Sequence, residues 1–162
     1  MEDLRVRGGE ISSERVKGFR KALRTLHTME GMAINIYRLQ ITKKPDEINR
    51  QLIVAMCNEM THYQDFQVKL FEYGGKPSKL RWLYWIVGFV IGFSSRLLGK
   101  KAVLKADIKL EAKAVHAYDE LLQTVNWDED TRKVVEKNQS DEYGHINRWR
   151  KLLQSDAATN EA

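Results

Sequence analysis

The 162 residues are enough for one sizeable core and too few to make two separate domains a good interpretation. The net charge of +5 is too small to indicate a nucleic-acid-binding protein, and no basic motif accompanies it. The single cysteine excludes both an intramolecular disulfide and a rubredoxin-like iron centre. With only two prolines in long stretches rich in Leu, Lys, Glu, Ala and Arg, the composition predicts an all-α protein.

Apolar residues recur at helical spacing in four stretches, and each stretch predicts a helix. These stretches are Val16–Ile41, Ile48–Tyr73, Leu104–Val125 and Val135–Leu152. Short breaks at Lys44–Pro45 and Asn126–Asp128 separate the first helix from the second and the third from the fourth. The sequence therefore predicts a four-helix bundle made of two helix hairpins.

Between the hairpins lies a connection of roughly 25 residues, which is longer than the ~12–15 residues that plain loops seldom exceed. Its stretch from Trp82 to Phe93 is apolar almost all round, but its 12 residues are fewer than the roughly 20 that span a membrane. Trp82, Tyr84 and Trp85 suit the lipid headgroup boundary, and basic residues flank the stretch on both sides. We expect a partly helical crossover that lies on a membrane surface; a buried cap on the bundle or a contact in a homodimer remains the alternative.

Two expectations concern the ends of the chain. No signal-peptide pattern opens the sequence, which favours a cytoplasmic location, peripheral on the inner face of a membrane. Residues 155–162 are small and polar, and we expect them to form a disordered tail behind a domain of residues 1–154.

Acids and histidines occupy gaps in the apolar stripes, so that they face the predicted core. They are Glu30 in the first helix, Glu59 and His62 in the second, Glu111 in the third, and Glu142 and His145 in the fourth. Four buried carboxylates need compensating positive charge, and these stripes contain no lysine or arginine. Two divalent cations would balance the carboxylates, and the histidine nitrogens would complete the ligand shells.

The spacing of these residues supports the same interpretation. Glu30 and Glu59 are equidistant from the break at residues 44–45, and Glu111 and Glu142 from the break at residues 126–127, so that each pair lies level in its hairpin. Each histidine follows its glutamate by three residues, which places both side chains on one helix face. One Glu-x-x-His pair alone is usually a solvated helix pair, whereas two copies with two level partners predict a dinuclear metal site.

These residues and their surroundings resemble the demethoxyubiquinone hydroxylase family of ferritin-like di-iron enzymes, over roughly residues 20–153. Offsets typical of the family recur at His27, Glu30, Ala33, Ile36, Tyr37, Gln40, Glu59, His62, Phe66, Glu111 and Tyr118, in the run Asp141–His145, and in the crossover at Lys76–Leu80, Trp85, Gly88, Phe89, Gly92, Leu98 and Gly99. Met29, Ala112 and Ala117 depart from the family pattern, which has a glycine, an acid and a histidine there.

The resemblance implies a ferritin-like fold with two iron ions, or manganese, and an oxygen-activating monooxygenase that hydroxylates a quinone-like or other lipophilic ring in ubiquinone biosynthesis. Such an enzyme needs a lipophilic substrate and an external reductant, and Tyr118 is the candidate for relaying an electron or a proton. Two alternatives stay open: a rubrerythrin-like peroxidase or ferroxidase, and a metal-binding protein without turnover.

Overall fold

The computed structural model describes residues 6, 7, 9 and 11–160, with the backbone alone for residues 157–160. Five helices follow one another in this part of the chain: α1 (Ser13–Gln40), α2 (Glu47–Glu72), α3 (Arg81–Leu97), α4 (Lys100–Thr124) and α5 (Glu129–Asn160). Helix α1 packs on α2, and α4 packs on α5, which confirms the two predicted hairpins. The fold is an all-α, ferritin-like helical bundle in which α3 is the crossover.

Local signals explain where α2 begins and ends. The carboxylate of Asp46 accepts a hydrogen bond from the backbone N–H of Asn49 at 2.9 Å, and this satisfies one of the free donors at the start of the helix. The chain leaves α2 through Gly74, whose φ of +64° lies in the left-handed region that glycine adopts at little cost.

The core contains two apolar clusters. One includes Phe19, Leu26, Phe66, Tyr73 and Trp127, and the other includes Ala33, Tyr37, Leu52, Leu104 and Trp149. The residues that connect the two clusters along each helix are the acids and histidines predicted from the gaps in the stripes. A polar layer therefore lies between two apolar ends of the bundle.

Helix α3 packs along α1 through a face of small residues. Gly88, Gly92 and Ser95 are its buried residues. A Cβ atom on Gly92 would come within 2.8 Å of the backbone oxygen of Ile36, so that only glycine allows this close approach. The Asn35 amide also donates to the Trp85 carbonyl at 2.8 Å. The crossover is thus a helix held firmly against the first hairpin.

The predicted end of the fourth helix was wrong, because the helix is longer than the sequence suggested. Helix α5 continues to Asn160, whereas we expected the tail to begin at Ser155. The small residues that suggested a tail include Ala157 and Ala158, and alanine is the strongest helix former. The division into a domain of residues 1–154 and a disordered tail stays a prediction, and residues 161–162 lie outside the described part.

Candidate metal centre

All six predicted metal-binding residues come together in the middle of the bundle, and each is at most 2% exposed. Helix α1 contributes Glu30, α2 contributes Glu59 and His62, α4 contributes Glu111, and α5 contributes Glu142 and His145. They form two overlapping groups that share Glu59 and Glu142. Glu30 and His62 complete the first group, and Glu111 and His145 complete the second. Within each group the candidate donor atoms lie within 4.8 Å of one another, and either group could hold a metal ion.

Both histidines present Nδ1 to the carboxylates. His62 Nδ1 lies 3.0 Å from Glu142 Oε1 and 3.4 Å from Glu59 Oε2. His145 Nδ1 lies 3.1 Å from Glu59 Oε1 and 3.2 Å from Glu111 Oε1. The two imidazole rings are 6.5 Å apart, centre to centre. Each histidine therefore serves one end of a site whose middle is formed by Glu59 and Glu142.

These short approaches are not ordinary hydrogen bonds. Both oxygens of Glu59, Glu142 Oε1 and His62 Nδ1 are buried, and none of them has a hydrogen-bond partner among the described residues. A buried carboxylate without a hydrogen-bond partner costs several kcal/mol of folding free energy unless a cation lies between it and its neighbours. Four carboxylates and two imidazoles are also the donor set of dinuclear bundle sites. The residues present fit a pair of divalent metal ions.

The electrostatics of the cluster show the same demand for positive charge. Burial raises the pKa of Glu30 well above its ordinary value, and the neighbouring Glu59 and Glu142 raise it further. Burial alone would lower the pKa of His62, but its contacts with Glu142 and Glu59 outweigh this and raise the pKa to about 11. The carboxylates thus hold a proton on the imidazole when no metal supplies the positive charge.

Two tyrosines each form a hydrogen bond that links one hairpin to the other. The Tyr118 hydroxyl on α4 donates to Glu30 Oε1 at 2.5 Å, and the Tyr37 hydroxyl on α1 donates to Glu111 Oε1. Burial, and then the nearby carboxylates, raise the pKa of both phenols well above the ordinary value, so that both stay protonated donors. Sequence reasoning identified Tyr118 as a site residue but not Tyr37. The signal was available, because each tyrosine follows the glutamate of its own helix by seven residues.

The two histidines differ at their outer nitrogens. His62 Nε2 lies 3.1 Å from Asp141 Oδ2, which fixes Nε2 as the protonated nitrogen and leaves Nδ1 free for a metal. His145 Nε2 is buried without a hydrogen-bond partner in the described part of the chain.

Two side chains near these motifs lie apart from the cluster, and a third is buried in a separate environment. His116 and Cys57 are exposed. His27 is fully buried, but its Nε2 contacts Gln67 Oε1 at 2.9 Å instead of a carboxylate of the cluster. Among the described residues, the cluster therefore consists of the six predicted residues and the groups that hold them.

An all-α bundle of two hairpins, each supplying one glutamate and one Glu-x-x-His pair, defines the class of ferritin-like proteins with a buried dinuclear metal site. The family described as "Ubiquinone biosynthesis protein COQ7" matches residues 17–159, and the chain belongs to this family.

Curated relatives agree with this assignment. The chain is 26% identical over 144 residues to the mitochondrial NADPH-dependent 3-demethoxyubiquinone 3-hydroxylase of Dictyostelium discoideum, covering 85% of this chain and 66% of the relative. It is 27% identical over 139 residues to the 3-demethoxyubiquinol 3-hydroxylase of Alcanivorax borkumensis, covering 85% of this chain and 64% of the relative. The Pseudomonas aeruginosa 3-demethoxyubiquinol 3-hydroxylase is 26% identical over 139 residues, with 85% and 65% covered. The chain thus spans about two thirds of the length of these relatives.

Proposed function

We propose that this protein is a di-iron monooxygenase that hydroxylates a lipophilic, quinol-like ring. The observation that carries the proposal is the pair of overlapping four-residue groups at the centre of the bundle. The relatives named as 3-demethoxyubiquinol and 3-demethoxyubiquinone hydroxylases support the choice of reaction and ring. The net reaction consumes one O2, two electrons from an external reductant and two protons; one oxygen atom goes to the ring and the other leaves as water.

In this proposal Glu30, Glu59, Glu111 and Glu142 bind the metals through oxygen, and His62 and His145 each bind one metal through Nδ1. Carboxylate and imidazole ligands suit iron and also manganese, and iron is the metal whose redox chemistry would activate O2 when bound. The apolar clusters on both sides exclude water from the centre.

We assign the relay of a proton or an electron to Tyr118. Its hydroxyl is in direct contact with Glu30 and is buried, so that it can transfer a hydrogen only to groups within the centre. Tyr37 makes the equivalent contact with Glu111 from the other hairpin, and we propose that it holds this carboxylate in place.

Helix α3 would bring the protein to the membrane that contains such a substrate. Large apolar side chains cover its outer face; Leu83, Ile86 and Val90 are 44%, 43% and 55% exposed. Exposed basic residues lie at both ends of the helix: Lys76, Lys79, Arg81, Arg96, Lys101 and Lys105. Within the described residues, every helix is too short or too polar to cross a bilayer. We propose that α3 lies in the headgroup region of an anionic membrane, on its cytoplasmic face.

The membrane proposal is tested by sedimentation with anionic vesicles at low salt. Leu83→Ser, Ile86→Ser and Val90→Ser together should abolish most of the binding, because they remove the apolar area that enters the lipid. The matched control changes three exposed apolar residues of α2, Ile53, Val54 and Val68, to serine and should bind as the parent does. Equal binding by both triple variants would assign α3 to a protein contact.

The reaction is tested by loading the protein with iron, reducing it without oxygen, and then measuring O2 consumption with a hydroquinone. The expected result is faster consumption with the ring present and a hydroxylated product. Rapid oxidation of the centre by hydrogen peroxide, with no effect of any quinol or phenol on the O2 rate, would assign the protein to the peroxidase class. A centre inert to both oxidants would indicate metal binding without turnover.

A further inference from the structure

A pocket of about 370 Å³ lies between α1, α2 and the first turns of α3, outside the metal centre. Its size is within the range of sites that hold small molecules, roughly 300–1,000 Å³. Gly31 and Tyr63 line it and directly follow Glu30 and His62 in the chain. The pocket therefore lies against the two helix segments that carry metal-centre residues.

Three aromatic side chains line the pocket. Tyr63 comes from α2, and Trp82 and Trp85 come from α3. The Tyr63 ring lies 3.9 Å, centre to centre, from the ring of His27. Since α3 is held to α1 by the Asn35–Trp85 hydrogen bond and by the close approach at Gly88, the helix that carries the two tryptophans is already in position before any ligand binds. Such walls suit a flat, apolar ring.

Among the polar groups that line the pocket, His27 is the one that selects the kind of ring. His27 is fully buried, and its Nε2 faces the Gln67 amide oxygen at 2.9 Å. An amide oxygen only accepts, so that Nε2 carries the hydrogen and Nδ1 retains a lone pair. Nδ1 has no hydrogen-bond partner among the residues that the structure describes. Burial lowers the pKa of His27, and the Arg81 guanidinium lowers it further, which keeps the imidazole neutral. The unsatisfied group is an acceptor.

We propose that this pocket binds a phenol or hydroquinone ring whose hydroxyl donates to His27 Nδ1, and that it discriminates against the oxidised quinone, which has no hydrogen to donate. The inference rests on the proposed function and deepens it, because it selects the reduced form of the ring and names the residue that recognises it. His27 is then a substrate-binding residue of the first hairpin, distinct from the metal-binding set.

The test is calorimetric binding without oxygen, using the purified, metal-loaded protein with trimethylhydroquinone and its dimethyl ether. The parent should bind the hydroquinone roughly fivefold to tenfold tighter, as expected for one hydrogen bond made or lost in a buried site. His27→Leu should bind the two compounds equally and leave the affinity for the ether unchanged. His116→Leu, a matched change at an exposed histidine of α4, should behave as the parent does.

Two further variants keep the test decisive if His27→Leu does not fold. Gln67→Leu frees the imidazole to place its hydrogen on Nδ1, and it should reduce the preference for the hydroquinone over trimethylbenzoquinone. Trp85→Ala should weaken the hydroquinone and the ether in parallel, because it removes a wall of the pocket. A preference that survives in the His27 and Gln67 variants, or full affinity in Trp85→Ala, would overturn the proposal.

The outcome is separable from that of the proposed function. Selective binding by the parent with no hydroxylation on addition of O2 would retain the pocket assignment and overturn the monooxygenase. Hydroxylation with the same KM in the parent and in His27→Leu would retain the monooxygenase and overturn the pocket assignment.

Discussion

The two hairpins build the metal centre in the same way and differ in what lies around it. In each hairpin the first helix gives a glutamate and, seven residues later, a tyrosine that reaches the glutamate of the other hairpin. The second helix gives a Glu-x-x-His pair whose Nδ1 faces the shared carboxylates. The centre is thus assembled from two equivalent halves, and neither half contains a complete group for one metal.

Outside the centre the equivalence ends. His27, three residues before Glu30, and Tyr63, directly after His62, form the aromatic pocket under α3. The corresponding residues of the second hairpin are apolar: Ile108 lies three residues before Glu111, and Ile146 directly follows His145. Helix α3 packs mainly on α1. The comparison indicates that the six-residue cluster is built equally by the two halves, whereas the aromatic pocket belongs to the first.

The largest effect should come from removing a shared glutamate. Glu59→Ala or Glu142→Ala takes a donor from both four-residue groups, so that we expect the content to fall from about two metal ions per chain to nearly none, with equal effects from the two hairpins. Metal analysis of the purified, metal-replete protein measures this. His116→Ala should keep its metal, and a loss equal to that of the glutamate variants would contradict the assignment of the centre.

Two glycine substitutions test whether only the first hairpin has an outer face that is closely covered by another helix. Gly92→Ala should lower the free energy of unfolding by about 1–3 kcal/mol, because its Cβ would come within 2.8 Å of the Ile36 backbone oxygen. Gly144→Ala, in α5, should instead raise it by roughly 0.5–1 kcal/mol, since a Cβ there meets no described atom within 4 Å. Urea unfolding of the metal-free protein compares them, and a loss of stability in both variants would show that α5 is also covered.

Two tyrosine substitutions, one in each hairpin, test whether the two halves of the centre are equivalent. Tyr37→Phe and Tyr118→Phe each remove one hydrogen bond to a carboxylate, and each should weaken metal binding by about tenfold to a hundredfold in a chelator competition. If Tyr118 alone relays a proton or electron, Tyr118→Phe should in addition slow hydroxylation at saturating metal, and Tyr37→Phe should not. Equal slowing in both variants would show that the relay is not restricted to one hairpin.

The sequence predicted the bundle and the six-residue cluster well because both depend on helical periodicity. Pro45 and the break at Asn126–Asp128 located the two turns in the sequence. Counting residues from each turn then predicted which acids lie side by side in each hairpin. These features are local repeats combined with one rule of hairpin geometry.

What the sequence did not predict depends on contacts between helices whose relative placement it leaves open. Tyr37 fits the apolar stripe of α1, and its bond to Glu111 becomes visible only when α1 and α4 face each other. The pocket at His27 needs the position of α3, which is set by backbone contacts at Gly88 and Gly92 and not by a pattern of side chains. The length of α5 was also wrong, because small residues were interpreted as a tail.

The smallest predicted effect concerns the outer nitrogens of the histidines, where the hairpins differ by a single residue. Asp141 precedes Glu142 and contacts His62, whereas the residue that precedes Glu59 is Asn58. Asp141→Asn should weaken metal binding by about tenfold or less, at the lower end of what such supporting carboxylates contribute, because the Asp141 side chain is 38% exposed and its charge is partly screened.

Asn58→Ala is the matched control and should leave metal affinity unchanged, since His145 Nε2 makes no hydrogen bond to Asn58 in the structure. Stepwise titration of the metal-free protein with Mn²⁺ would then show one site weakened by Asp141→Asn and the other preserved. That result would mean that Asp141 supports the metal bound by His62 and not the metal bound by His145. If instead both sites weaken together, the shared Glu59 and Glu142 couple the two metals so strongly that a contact at one end acts on both.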